Sequence, residues 1–223
     1  VCDGKDYKIL NTAQDHKRAF NNDLGPNTGG MGAYSPTPLS TDAIIEQTCK
    51  GIIEPTLIAM NDKGHPYTGF LYVGLMIVDN KPYVIEYNVR MGDPETQVVL
   101  PLLESSLFDL LYKSSTNSIA NTEMKISDKT AVTVVLASKG YPKQYEKNME
   151  ININTNNEDL VFHAGTKIKD SVLYATGGRV LNAVGFGSNL NEAIIDAYKI
   201  LDRIEFKNKY FRTDIGQKGL KYK

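Results

Sequence analysis

At 223 residues with 41% hydrophobic side chains, the chain can bury a core as one large domain or two modest ones. Twenty-five Lys and Arg against 26 Asp and Glu leave a net charge of −1, so there is no basic excess to neutralise a nucleic-acid backbone. Two isolated cysteines, Cys2 and Cys49, and the lack of an apolar run near the ~20 residues of a membrane span argue against a disulfide framework, a Cys-based zinc site or an export leader, and point to reducing, cytoplasmic surroundings.

In chain order, Val1 to Leu10 reads as a hairpin around Asp3-Gly4, entered without any introduction and without a Met at position 1, which raises the expectation of a fragment. Gly25 to Pro36 holds four of the chain's glycines plus two prolines, and neither regular helix nor central strand tolerates that. Ser40-Thr41-Asp42 supplies a helix N-cap. Ile45, Cys49, Ile52, Ile53 and Met60 then follow at helical spacing to a stop at Gly64, with a kink expected at Pro55. Tyr67–Val78 and Pro82–Asn88 form an antiparallel pair across Asp79-Asn80-Lys81. The second strand ends in Arg90-Met91-Gly92-Asp93-Pro94-Glu95, where Asp93 can cap a helix running to about Tyr112.

Lys113 to Asp128 is poor in large apolar residues, and a boundary is placed near Thr122. Beyond it, strands are expected over Ala131–Ala137, Met149–Ile153, Asp159–His163, Ser171–Ala175 and Arg179–Phe186, with the Asn-rich stretch after Ile153 as a surface loop. Asn189 and Glu192 resemble a capping box opening a helix whose buried face is Ile194, Ala197, Ile200 or Leu201, and Ile204. This second unit is α+β and mostly sheet.

Glu86 and Asn88, two apart on a strand, share a face. A carboxylate and an amide oxygen are hard ligands suited to Mg²⁺, which takes few protein ligands and leaves room for water and phosphate. An exposed polar strand face is the bland alternative. Arg90 joins that face if the strand continues, and a guanidinium grips carboxylate or phosphate at two points. Asp93 lies in the turn that follows, whose backbone N–H groups could face an anion. The glycine-rich loop has neither the Gly-Lys-[Ser/Thr] ending of a P-loop nor dinucleotide spacing, yet Thr28-Gly29-Gly30-Met31-Gly32 could offer N–H groups to an anion. The run Gln14-Asp15-His16-Lys17-Arg18 reads as a solvated charge cluster. His65 and His163 have no sequence partners suggesting zinc or a triad.

Gln14 to Arg18, Gly25 to Pro36, Tyr67 to Tyr72 and Glu86-Tyr87-Asn88-Val89-Arg90-Met91-Gly92-Asp93-Pro94-Glu95-Thr96-Gln97 together resemble the phosphoribosylamine–glycine ligase (glycinamide ribonucleotide synthetase) family of the ATP-grasp superfamily. Phe162 to Thr166, Gly177-Gly178-Arg179-Val180 and Arg212 to Gly216 resemble its C-terminal domain. The resemblance implies an α+β fold. Residues 1–121 would form the C-terminal part of an ATP-grasp module, an antiparallel sheet with helices, and residues 122–223 a small, mostly-β C-terminal domain. It also implies a reaction of purine biosynthesis in which ATP phosphorylates glycine and the amine of 5-phosphoribosylamine attacks the glycyl phosphate.

Carried over by position, Glu86 and Asn88 would hold Mg²⁺ (or Mn²⁺) and Arg90 would clamp the acyl phosphate. Asp15, Lys17, Thr28, Gly29, Gly30, Gly32 and Asp93 would line the substrate side. Partners would be glycine, 5-phosphoribosylamine and ATP, with no nucleic acid or membrane, and with fusion to or association with other purine-pathway enzymes. The strand before Glu86 carries no further carboxylate, so the metal shell is expected to be thin. Met91 stands where related sequences usually have Phe or Leu, a volume-preserving change. Nothing resembling the family's N-terminal domain or ATP lid precedes Val1, so the chain alone is expected to turn over little substrate. Another ATP-grasp carboxylate–amine ligase, a biotin-carboxylase-like enzyme and a non-catalytic fragment are the alternatives.

Overall fold

The computed structural model describes residues 1–222, which divide into two units that each draw on several stretches of chain. The first comprises residues 1–12, 37–92 and 103–127, and the second 13–36, 93–102 and 128–223. The boundary expected near Thr122 lies in the last stretch of the first unit, and the second unit resumes at Asp128.

In the first unit the opening hairpin forms. Val1 and Lys8 exchange backbone hydrogen bonds, and the Asp3 carboxylate accepts from the amides of Lys5 and Asp6 at the turn. Strand β1 (Cys2–Asp3) pairs with β6 (Thr68–Gly69). Thr41 caps α1 (Asp42–Thr48) by accepting from the Ile44 amide. The kink expected at Pro55 is realised as a π-helical stretch over Cys49–Ile53, which leads into α2 (Glu54–Asp62) with Pro55 in its first turn. The chain is helical on both sides of this point, so the wider π-helical turn is what accommodates the proline's missing N–H and its ring. Strands β7 (Tyr72–Val78) and β8 (Lys81–Asn88) form the expected hairpin across Asp79-Asn80, both at positive φ, which is the two-residue turn that matches strand twist.

The helix expected from Asp93 to Tyr112 is two separate helices. A single turn, α3 (Thr96–Val99), belongs to the second unit, while α4 (Leu107–Ser115) belongs to the first. Pro101, lacking an N–H, falls where the first would have to continue, and Ser106 starts the second by accepting from the Asp109 amide. Asp93 caps neither.

The second unit is built on a six-stranded antiparallel sheet. It contains β2 (Gln14–Asp15), β5 (Gly32–Ser35), β9 (Thr130–Ser138), β14 (Arg179–Gly187) and β11 (Leu160–His163), with β16 (Lys209–Tyr210) also pairing β9. β3 (Arg18–Phe20) and β4 (Leu24–Asn27) form a side hairpin. A second sheet orders β12 (Thr166–Lys169), β13 (Val172–Ala175), β10 (Met149–Ile153) and β15 (Ile204–Phe206). The stretch from Gly25 to Pro36, expected to hold no central strand, supplies β5, which is buried and paired to β2 on one side and β9 on the other, with Gly32 placed where a side chain would strike the Thr133 carbonyl. Sequence reading missed β12. Its largely exposed Thr-Lys-Ile-Lys composition carries little apolar signal.

Helix α5 (Leu190–Leu201) opens on Asn189, which accepts from the Glu192 amide, while Glu192 reaches back to the Ser188 amide. It buries Ala193, Ile194, Ala197, Ile200 and Leu201, whereas Ile204 belongs to β15 and not to the helix face. A Cβ at Gly185 of β14 would fall 2.0 Å from the Ala197 nitrogen, so glycine here and alanine on the helix allow the two backbones to pack closely.

Candidate active site

In the first unit, Glu86 and Asn88 sit side by side, with Asn88 Nδ2 donating to Glu86 Oε1 at 3.2 Å. From Asn88, opposite Tyr72, to Glu86, opposite Gly74, the ladder keeps register and breaks only beyond Glu86, where Leu75 faces Val84, so the period of two puts both side chains on one face as expected. Gly74 has no side chain to crowd the Glu86 stem, and a Cβ there would meet Glu86 Cγ at 3.0 Å. Glu86 is exposed and Asn88 half-buried. Their cross-strand neighbours supply no second carboxylate, and among the described residues no cluster of three or more His, Cys, Asp or Glu could hold an ion. The donor set is one carboxylate and one amide, which suits a hard ion that keeps most of its shell for water and phosphate.

The strand stops at Asn88, so Arg90 does not continue that face. Its exposed guanidinium donates to the Met91 carbonyl at 3.0 Å. A groove of about 370 Å³ lies elsewhere in this unit, against Ile52, Pro55, Thr56, Ala59, Met60 and Tyr87.

In the second unit the run from Gln14 to Arg18 is not uniformly solvated. Lys17 and Arg18 are exposed, but the side chain of Asp15 is only 7% exposed and His16 is buried. Burial, and then the buried carboxylate of Glu95, push Asp15 up to about 7, against the pull of its ion pair with Lys17. His16 accepts from the Gly216 amide at Nε2 and faces the Gly32 carbonyl with Nδ1, which fixes the Nδ1–H tautomer. Burial, reinforced by the Arg212 guanidinium, lowers His16 to about 4.

The glycine loop is braced from within. The amides of Thr28, Gly29, Gly30 and Met31 donate to the Lys17 carbonyl, the Tyr141 hydroxyl, Thr28 Oγ1 and the His16 carbonyl. These donors are therefore already engaged, and the N–H groups that the sequence suggested for an anion are used inside the unit. Gly30 has φ +117, and a Cβ there would strike Pro94 at 2.3 Å and Asp15 Oδ1 at 2.8 Å. Gly32 is buried within β5, where a Cβ would come within 2.6 Å of the Thr133 carbonyl oxygen.

Asp93 joins this group. Its Oδ1 accepts from Gln97 Nε2 at 3.0 Å and its Oδ2 from Arg179 Nη2 at 3.0 Å. Of the expected substrate-side residues, Asp15, Lys17, Thr28, Gly29, Gly30 and Asp93 thus form one connected set in this unit. Sequence reading gave no role to Glu95, Tyr141 or Arg179. Their partners lie some 80 to 150 residues away, beyond any local pattern.

Two family models match the chain. The phosphoribosylglycinamide synthetase ATP-grasp (A) domain covers residues 1–96, and the C domain of the same synthetase covers residues 131–218. The phosphoribosylamine–glycine ligase of Agrobacterium fabrum is 50% identical over 222 residues, covering 99% of this chain and 52% of that protein. The crystal structure of phosphoribosylamine–glycine ligase from Thermotoga maritima superposes with a TM-score of 0.87 at 38% identity, over 96% of this chain and 54% of that one. The biotin carboxylase subunit of pyruvate carboxylase shares the fold alone, with a TM-score of 0.58 at 13% identity over 88% of this chain and 42% of that one. The chain spans about half the length of the curated relatives it matches. With both models drawn from one synthetase and in chain order, the chain belongs to the phosphoribosylglycinamide synthetase family, with an ATP-grasp fold.

Proposed function

We propose that the chain contributes the metal-binding and substrate-side residues of an ATP-dependent, cytoplasmic ligase that joins glycine to 5-phosphoribosylamine through glycyl phosphate, releasing ADP and phosphate. The observation that carries this reading is the contact between Glu86 and Asn88 on one face of β8, in a chain of this family. Glu86 and Asn88 would hold a divalent ion, Mg²⁺ or Mn²⁺, which when bound neutralises charge on the transferring phosphoryl group. Arg90 would clamp oxygens of the acyl phosphate once its guanidinium leaves the Met91 carbonyl. Asp15, Lys17, Thr28, Gly29, Gly30, Gly32 and Asp93 would shape the side that receives glycine and the sugar phosphate, catalysis of this kind being chiefly positioning and charge neutralisation. Fusion to or association with another purine-pathway enzyme fits the same reading.

The test replaces the matching half of the Agrobacterium fabrum ligase with this chain and follows phosphate release. Release should require ATP, glycine and phosphoribosylamine together, and Glu86→Ala should lower turnover about 100-fold at limiting Mg²⁺. Full activity of Glu86→Ala at limiting Mg²⁺, or dependence on bicarbonate in place of glycine, would reject the assignment.

A further inference from the structure

Arg179 opens β14 at a bulge in its pairing with β9, between Arg179 and Leu181, an irregularity that re-aims a side chain. Its side chain, 20% exposed, reaches two other segments of the second unit, the glycine loop and the turn at Asp93. Nη1 donates to the carbonyls of Gly29 and Asp93 at 2.9 Å and more distantly to that of Gly30 at 3.4 Å, while Nη2 donates to Asp93 Oδ2 at 3.0 Å. The planar group lies flat enough on the glycine loop that a Cβ at Gly29 would touch Arg179 Cζ at 3.0 Å. Behind it, the Tyr141 ring covers Gly178, and its hydroxyl accepts the Gly29 amide at 3.0 Å. Loop and turn are therefore gripped from both sides, through the main chain.

A lone surface ion pair would be worth little. Three of the four hydrogen bonds from Arg179 instead go to carbonyl oxygens, and these contacts fix backbone shape. The result at Asp93 is a carboxylate with one oxygen held by Gln97, the other by Arg179, and half of its side-chain surface still open to solvent. Each carboxylate oxygen can accept more than one hydrogen bond, so the open side is set to receive N–H donors.

We propose that Arg179 is a positioning residue, which orients Asp93 and the Thr28–Gly30 loop so that Asp93 receives the ammonium group of the amino-acid substrate. This rests on the substrate-side reading of Asp93 given above. Lysine cannot replace Arg179, because one ammonium cannot span the loop carbonyls and the Asp93 carboxylate with the fixed fork of a guanidinium.

The experiment is an amide NMR titration of the 223-residue chain with glycine, and with acetate as a probe that keeps the carboxylate but lacks the ammonium. Glycine, and not acetate, should shift the amides of Gly29, Gly30 and Asp93. Arg179→Ala and Asp93→Asn should each weaken glycine binding about 10-fold, the scale of one lost hydrogen bond to a charged group. The double variant should also lose about 10-fold, because the two residues act as one unit. Arg179→Lys should remain several-fold weaker than wild type, and it replaces the alanine variant if circular dichroism shows the latter unfolded. Wild-type binding in Arg179→Lys or a folded Arg179→Ala, losses that multiply to about 100-fold, or equal responses to acetate and glycine would each overturn the proposal. A wild-type chain that responds to neither probe would overturn the substrate-side reading together with it, whereas a response lost in Asp93→Asn but kept in Arg179→Ala would overturn only the role of Arg179.

Discussion

Asp15 and His16 are adjacent, buried, and titrate in opposing senses. Burial lowers His16 from 6.5 to about 4, so the unfolded chain takes up a proton that the folded one refuses, and stability falls as pH drops from about 6.5 toward 4. Burial beside Glu95 raises Asp15 from 3.8 to about 7, so the folded chain keeps a proton that the unfolded one releases, and stability falls as pH rises through that window. At roughly 1.4 kcal/mol per tenfold change in acidity, each effect reaches the order of 3 kcal/mol and the two largely cancel between pH 4 and 6.5. His16→Gln, which can keep both a donor and an acceptor, should leave a chain that gains stability on acidification toward pH 4. Asp15→Asn should leave one that loses it steeply. Urea unfolding at pH 4.5, 6 and 7.5 checks both, and parallel profiles for the two variants would contradict the assignment. None of this was legible in the run Gln14 to Arg18, because the groups that bury and tune it, Glu95, Arg212 and Gly216, come from distant parts of the chain. Glu86 and Asn88 were legible, since strand periodicity alone puts them on one face.

Among the elements, the β7–β8 hairpin is unusual in leaving Met76, Val78, Tyr83, Val84, Ile85 and Tyr87 exposed, with Val89 just beyond it. It is a two-stranded sheet, and such ribbons are only marginally stable unless a face is covered. β9 and β14, by contrast, lie inside a six-stranded sheet and are buried along nearly their whole length. In amide hydrogen exchange, β7 and β8 should therefore open by local fluctuation, with protection about 100-fold or more below that of β9 and β14; equal protection would show that something else covers the hairpin. That Glu86 and Asn88 ride on this ribbon ties the candidate metal ligands to an exposed two-stranded pairing. The hairpin was readable from its two extended runs and from the Asp79-Asn80 turn, and α5 from its Asn189 cap and apolar stripe. The helix drawn from Asp93 to Tyr112 was not, because apolar residues continue through Pro101 and the break is decided by one missing N–H and a new cap at Ser106.

At the level of the whole molecule, order along the chain and order in space diverge, since the second unit takes residues 13–36 and 93–102 as well as everything from Asp128 onward. β5 pairs with β9 from Gly32 opposite Val134 to Ser35 opposite Ala131, and places Met31, Ala33 and Tyr34 in the core with no exposure. The same early segment satisfies Arg212, whose side chain is wholly buried and donates to the Arg18 carbonyl and to Asp23 as well as to its neighbour Asp214. A polypeptide of residues 128–223 would thus present β9 with much of one edge unpaired, a core missing those side chains, and a buried guanidinium stripped of half its acceptors. Breaking a buried charge from its partners alone costs several kcal/mol, about the whole stability of a small domain. We expect residues 128–223 alone to lack a cooperative thermal transition and dispersed amide resonances, and residues 13–36 supplied through a flexible linker to restore both in part. A sharp melt of 128–223 near that of the intact chain would mean that Arg212 and the β9 edge are satisfied in some other way, and that the early strands are a later addition to a core already complete.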